Sequence, residues 1–255
     1  KIEIIRNKKN LGFAGGANTA IKWAKDRGYI YLALLNSDAV ADKKWIEELH
    51  KTINNNSKIG MSTSKILKID GLEIDTTGEE FFSWGLSSPR GRNEKDKGQY
   101  DTPGRVFGGS GGASMYSMDM INKIGGFDND FFAYYEDADL SFRANLTGWQ
   151  VYYNPMAVVR HKIGASSSKA SGMTRQMSIK NQPMLILKNI PLRYLPSVSL
   201  KFLSLWLGSL SIAIKERQFK ALFLGLIKLV ILLPKKLVQR VKIQHWRRKN
   251  RVKSK

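Results

Sequence analysis

The chain contains no cysteine, which excludes disulfides and thiolate metal sites and leaves the redox compartment open. Histidine is nearly as scarce, with three residues in 255. Acid is short in one half only. Residues 140–255 hold a single acid, Glu216, against 23 Lys+Arg, whereas residues 1–139 hold 20 Asp+Glu against 19 Lys+Arg. The net charge of +21 therefore belongs to the back of the chain, and such asymmetry points to an anionic partner, a membrane surface or nucleic acid. The apolar stretches 202–214 and 219–233 both fall short of the roughly 20 residues needed to cross a bilayer. Residues 1–5 lack a cleavable apolar core, and the chain opens on Lys rather than Met. It is expected to begin inside a longer protein. At this length it suits one domain plus an appendage, or two small domains.

What is present is a concentration of acid at Tyr134-Tyr135-Glu136-Asp137-Ala138-Asp139-Leu140. Helical spacing runs from about 136 to 146 with Gly148 as the stop, so three carboxylates occupy a first turn, where the helix dipole favours them. Asp139 and Arg143 make an ordinary i,i+4 pair. Dipole and pairing leave Asp137 unaccounted for, and a carboxylate beside aromatics is a candidate general base, with Glu136 and Asp139 as its catalytic neighbours.

Ahead of this lie an expected strand at 2–5 and the stretch Asn10-Leu11-Gly12-Phe13-Ala14-Gly15-Gly16-Ala17-Asn18, which reads as a glycine loop feeding a helix from about 17 to 28. Backbone amides there can face phosphate oxygens, although the spacing matches neither the dinucleotide fingerprint nor the P-loop; a tight turn is the plain alternative. Residues 29–35 form a continuous apolar run, the pattern of a strand covered on both faces in a parallel sheet. It ends in Asn36-Ser37-Asp38, where open α/β sheets gather ligands. Asp38 is thus a metal candidate or the start of a turn before a helix at 44–49. A strand is expected within 60–69, and 76–105 reads as a long loop with room for acceptor contacts. Small residues 108–114 enter a strand, followed by a helix over 117–124. Two short strands, 151–153 and 158–159, flank Asn154-Pro155, and His161 closes the second as a candidate ligand. His50 and His245 read as surface residues.

Taken together, Asn10 to Gly16 with Asn18, Leu34 to Asp38, Gly112-Ala113, Gly125-Gly126-Phe127-Asp128, Phe131-Phe132, Glu136 to Leu140, Arg143, Gly148, Pro155 and His161 resemble family 2 glycosyltransferases, in particular the rhamnosyltransferase-like branch. The resemblance covers residues 1–165. It implies a GT-A fold, a Rossmann-like mixed α/β sheet here N-terminally truncated. It also implies inverting transfer of a sugar, rhamnose among the candidates, from a nucleotide-diphosphate sugar to a glycan or lipid-linked acceptor in cell-surface polysaccharide synthesis, with a divalent Mg or Mn ion. By that resemblance Asp137 is the base, Asp38 and His161 hold the metal, and Asn10, Gly12, Gly15, Gly16, Asn18 and Asp38 lie along the donor. The family's D-x-D position reads Asn-x-Asp here, so its first carboxylate is missing. The family's base and ribose pocket would come from an upstream strand, helix and strand.

Residues 166–255 are of different character. Their apolar stretches read as amphipathic interfacial or re-entrant helices, and the run 235–255, with ten Lys+Arg and no acid, favours an anionic leaflet at on the order of 1 kcal/mol per charge. Peripheral attachment to the cytoplasmic face of the cell membrane follows as the expectation. A core helix pair with a solvated tail, a nucleic-acid-binding arm using Trp246, and a carbohydrate-binding module without catalysis are the alternatives; apolar segments directly before the charges disfavour nucleic acid.

Overall fold

A computed structural model of the chain describes residues 2–162 and 171–249. The elements in order are α1 (Gly12–Asp26), β1 (Tyr31–Leu35), β2 (Ala39–Ala41), α2 (Trp45–Asn54), β3 (Ile59–Lys68), β4 (Ile74–Thr76), β5 (Glu79–Phe81), β6 (Ser87–Pro89), β7 (Gly104–Val106), β8 (Ala113–Ser117), α3 (Met118–Ile124), α4 (Glu136–Leu146), β9 (Gln150–His161), α5 (Ser171–Asn189), α6 (Leu195–Lys215) and α7 (Phe219–Lys249). Local chemistry accounts for several boundaries. Ser117 caps α3 by accepting from the Met120 N–H, and Gly125 ends it at a φ of +83° that other residues resist. In α2, Trp45, Leu49 and Ile53 recur at helical spacing and are the buried face.

The sheet runs β1-β8-β3-β9-β2, with β4 added to β3 and β7 to β9. Among the described residues only the β3–β9 pair is parallel. One face packs on α2 through Trp45, Leu49, Ile66, Met115 and Val159. The other packs on α1, α3 and α4 through Ala17, Ile21, Tyr116, Met120 and Leu140. Behind α4, residues of α5, α6 and α7 close a third apolar cluster around Phe131, Phe142 and Leu185.

Four expectations are corrected. Residues 2–5 make no strand; Ile2 is 92% and Ile4 75% exposed, and no ladder partner stands beside them among the described residues. The apolar run at β1 is not a covered parallel strand. It lies at the end of the sheet, antiparallel to β8 and only partly buried. The expected pair of strands around Pro155 is one strand, β9, whose register against β3 jumps from Ser64↔Asn154 to Lys65↔Val158. That bulge accommodates a proline, which has no N–H for the ladder. The long loop 76–105 contains the hairpin β5–β6 and part of β7, segments of three residues each, too short to show a period.

The back of the chain is corrected as well. The helical span Leu192–Lys215 is 24 residues long and passes the length and composition test for crossing a membrane, because the helix extends beyond the uninterrupted apolar stretch. Its Val198 and Phe202 are buried in the third cluster, while Leu200, Leu203 and Leu207 are exposed. The expected start of the back region at 166 lies outside the described residues.

Candidate active site

A cleft of about 640 Å³ opens where the end of β1, β4, the entry to β8, the end of β9 and the start of α4 converge. That volume suits a ligand of small-molecule size. Two chemically distinct groups line it.

The first is carried by β9 and the turn after β1. His161 Nε2 lies 3.2 Å from Asp38 Oδ1, and His161 Nδ1 lies 2.8 Å from Asp75 Oδ2. The bond to Asp75 and, beyond it, the charge of Asp38 hold the imidazole pKa above its usual value despite partial burial. Antiparallel pairing of Ala39 with His161 sets Asp38 beside the histidine. Asp75 was missed by sequence reasoning. It sits in the three-residue β4, and nothing in its spacing marked it. Arg92 approaches Asp75 at 3.6 Å.

The donor set fits a divalent cation. Adjacent ligands on an octahedron of about 2.1 Å radius lie about 3.0 Å apart, close to the separation of Asp38 and His161. Asp75 behind the imidazole fixes its orientation as carboxylates do behind metal-bound histidines. Among the described residues no three His, Asp or Glu side chains converge as a metal cluster.

The second group belongs to α4. Asp137 Oδ2 accepts the Gly111 N–H at 3.3 Å, and its Oδ1 accepts the Ala138 N–H at 2.8 Å. Burial pushes its carboxyl above the usual range, and these two N–H groups pull it part of the way back. Glu136 is 6% exposed; burial first and the charge of Asp137 second push it up to about 8. Burial thus raises both neighbours, and at Glu136 the charge of Asp137 adds to the rise.

Asp139, grouped with these as catalytic, faces the other way. It is fully buried and bonds to Arg143 at 2.9 Å, Lys188 at 2.8 Å and Asn189 at 2.9 Å. Burial raises its pKa, but Lys188 and Arg143 outweigh that and hold the carboxyl low. Its role is to fasten α4 to α5.

The glycine stretch is not a loop along the cleft. Asn10 Oδ1 accepts the Gly12 N–H at 2.9 Å, and the helix α1 begins at Gly12. A Cβ on Gly12 would lie 2.3 Å from the Phe132 carbonyl oxygen, and one on Gly15 would lie 2.5 Å from Leu11 Cβ. Gly12 and Gly15 therefore serve close packing. Asn18 is taken up by Phe127 and Asn129. Of the residues expected along the donor, Asp38 lines the cleft, while Asn10, Gly12, Gly15, Gly16 and Asn18 do not.

The loop that delivers Asp137 is strained. Phe132, Tyr134 and Tyr135 all have left-handed backbones, with φ of 66°, 67° and 70°, at on the order of 1–2 kcal/mol each. Helix α5 holds them. Asn181 Nδ2 donates to the carbonyls of Phe131, Ala133 and Tyr134 at 3.0, 2.9 and 2.7 Å, and Thr174 Oγ1 meets the Tyr134 hydroxyl at 3.2 Å. Lys180 Nζ donates to the Asp130 carbonyl. Asn181 was also missed, because its partners lie 47–50 residues away.

This geometry can be set beside known proteins. Residues 1–125 match Glycosyl transferase family 2. The family 2 match covers β1, β3 and β8, and so the turn carrying Asp38. Low-salt glycan biosynthesis hexosyltransferase Agl10 of Haloferax volcanii is 27% identical over 148 residues, 56% of this chain and 46% of its own length. The chain thus spans about half the length of that curated relative. The crystal structure of GalNAc-T7 with UDP, GalNAc and Mn2+ superposes with a TM-score of 0.50 at 16% identity, over 72% of this chain and 38% of that one. That likeness bears on fold, which is the expected GT-A arrangement of a mixed central sheet, here followed by C-terminal helices.

Proposed function

We propose that this chain is the catalytic part of an inverting glycosyltransferase that moves a hexose-class sugar, rhamnose among the candidates, from a nucleotide-diphosphate sugar to a hydroxyl of a glycan or lipid-linked acceptor. The observation that carries the reading is one cleft with a buried carboxylate base, Asp137, and a separate Asp38–His161 pair. Asp137 takes the acceptor proton as its oxygen attacks the anomeric carbon. Glu136, pushed up to about 8, stays protonated beside it, and Asp139 is taken up by Arg143 and Lys188, which leaves Asp137 as the acid of this turn that faces the cleft as a base. Asp38 and His161 would hold a Mg or Mn ion, which when bound supplies charge neutralisation to the leaving diphosphate. The relative named for hexosyl transfer in glycan biosynthesis supports the sugar class. Incubating the full chain and Mg2+ with a panel of nucleotide sugars tests the reading; an absence of both hydrolysis and transfer across the panel overturns it.

The rate is expected to depend on pH in a stated direction. A base must be deprotonated, and the Asp137 carboxyl is raised, so kcat/KM should climb with pH along a limb above the free aspartate value of about 3.9. A limb at or below that value would contradict the assignment. Asp38→Ala is expected to weaken Mg2+ and Mn2+ binding by on the order of 10-fold or more, since one of the proposed protein ligands is lost. Calorimetric titration of the metal with a nucleoside diphosphate present measures this, and unchanged affinity would remove Asp38 from the metal site.

Attachment to the membrane is part of the same proposal. Helices α6 and α7 expose Leu200, Leu203, Phe223, Val230 and Ile231, with exposed Lys201, Lys220 and Lys228 nearby. An apolar face edged by lysines suits the anionic cytoplasmic leaflet. The basic run contributes less than its composition suggests. Lys235 and Lys236 at its head pair with Asp130 and Asp128, and residues 250–255 lie outside the described residues. The double substitution Lys220→Glu with Lys228→Glu is expected to weaken binding to phosphatidylserine-containing vesicles by on the order of 10-fold or more and to neutral vesicles far less. Equal loss from both, in a flotation assay, would make the attachment apolar only.

A further inference from the structure

The hairpin region from which sequence reasoning drew no residue sends one acid into the cleft that the transfer step does not use. Glu79 lies on β5 and is 8% exposed. Its N–H donates to the Gly108 carbonyl at 2.8 Å, and its own carbonyl accepts the Gly108 N–H at 3.2 Å. Ser87 Oγ, from the paired strand β6, donates to Glu79 Oε2 at 3.0 Å. A Cβ on Gly108 would lie 3.0 Å from Glu79 Cβ and 2.7 Å from Ser141 Oγ, so the backbone presses against the glutamate and fixes where it stands. Glu136 lines the same cleft, and among the described residues its buried Oε2 meets no hydrogen-bond partner. Native proteins rarely leave such an atom unsatisfied. Among the described residues no lysine lines the cleft, and the arginine that does, Arg92, stands by Asp75.

We propose that Glu79 and Glu136 form an acceptor subsite for an uncharged, hydroxyl-bearing sugar ring. This rests on the transfer reading above and names the acceptor class for it. Burial and the nearby charge of Asp137 push Glu79 well above the usual carboxylate range, as they do Glu136. A carboxyl that keeps its proton offers an O–H donor and a carbonyl acceptor, a match for sugar hydroxyls that donate and accept at once. The orphaned Oε2 of Glu136 gains the partner it lacks. Tyr134 and Tyr135 line the same space and give the ring's C–H faces an apolar surface. A carboxylate on that ring would face the charge of Asp137, while Arg92, the cation lining the cleft among the described residues, stands by Asp75, so uronate rings are disfavoured.

The test uses the full chain with Mg2+ and the nucleotide sugar it hydrolyses fastest. The acceptors are p-nitrophenyl pyranosides of glucose, galactose, mannose and N-acetylglucosamine, set beside the uronates of the first two; products are read by mass spectrometry. Transfer to at least one neutral glycoside, and slower transfer to either uronate, is expected. Glu79→Ala should raise the acceptor KM by about tenfold or more with the donor KM within about twofold, because a site built to bond a hydroxyl loses it. Glu79→Gln, which keeps a donor and an acceptor in the same shape, should stay within about threefold on both. A uronate served as well as its neutral counterpart, or an acceptor KM unmoved by Glu79→Ala, overturns the subsite. Donor hydrolysis without transfer to any neutral glycoside overturns it too and leaves the donor side standing. Loss of hydrolysis and transfer alike in the wild type instead overturns the transfer reading itself.

Discussion

Asp137→Asn is expected to lower the transfer rate by on the order of 10²–10⁴-fold, the range that a positioned base supplies. The substitution keeps the shape of the side chain and leaves an oxygen to accept from Gly111 or Ala138, so little else need move. What it removes is the lone pair that takes the acceptor proton. Glu136 is a poor stand-in, because burial, the larger cause of its raised carboxyl, remains in the variant even though the charge of Asp137 that adds to it is gone. Donor affinity should be nearly unchanged, since proton transfer occurs on the acceptor side. Single-turnover kinetics with calorimetric donor titration separates the two quantities. Near-normal turnover in the variant would end the assignment of Asp137 as base.

Lys236→Met is expected to destabilise the fold by about 3–5 kcal/mol, as removing one partner of a buried ion network does. Lys236 on α7 is fully buried and bonds Asp128 at 2.6 Å and Asp130 at 2.7 Å. Lys188 on α5 reaches Asp128 at 2.7 Å and Asp139 at 2.8 Å. Burial would raise the Asp128 carboxyl, but the two lysines outweigh it and hold the group ionised. Without Lys236 that negative charge is left under-compensated at a largely buried position. The shift of the denaturant midpoint measures the loss, and adding Asp128→Asn should return part of it, because the stranded charge goes as well. If Lys236→Met unfolds at the wild-type midpoint, the network contributes nothing to stability.

The parts legible in the sequence were those with a local signal. Helix α4 spans the expected residues because Glu136, Asp137 and Asp139 mark its first turn and Gly148 follows its end. Asp38 lines the cleft just after an apolar strand ends, a position the sequence marks. His161 lies beside Asp38. The misses share a cause. Gly12 reads as a loop residue, and only its approach to the Phe132 carbonyl shows why a glycine opens α1. Glu79, Asp75 and Asn181 owe their importance to partners in other elements. The basic back was read as facing outward, yet Lys188 and Lys236 answer acids of the front 49–108 residues away, a pairing that no window of sequence displays.

The hold of α5 on the base loop also sets an order of events during synthesis. A nascent chain has made the sheet and both sets of cleft residues on it once His161 has left the ribosome. At that moment Phe132, Tyr134 and Tyr135 still lack the three hydrogen bonds of Asn181 that offset their left-handed backbones. The brace between α7 and Asp128 arrives later still, with Lys236. Metal binding is therefore expected to appear on the ribosome before transfer does, and the base to fall into place only once α5 and then α7 have emerged. Stalled chains released at successive lengths would show it as two separate onsets; simultaneous onset would mean that the loop finds its strained shape unaided.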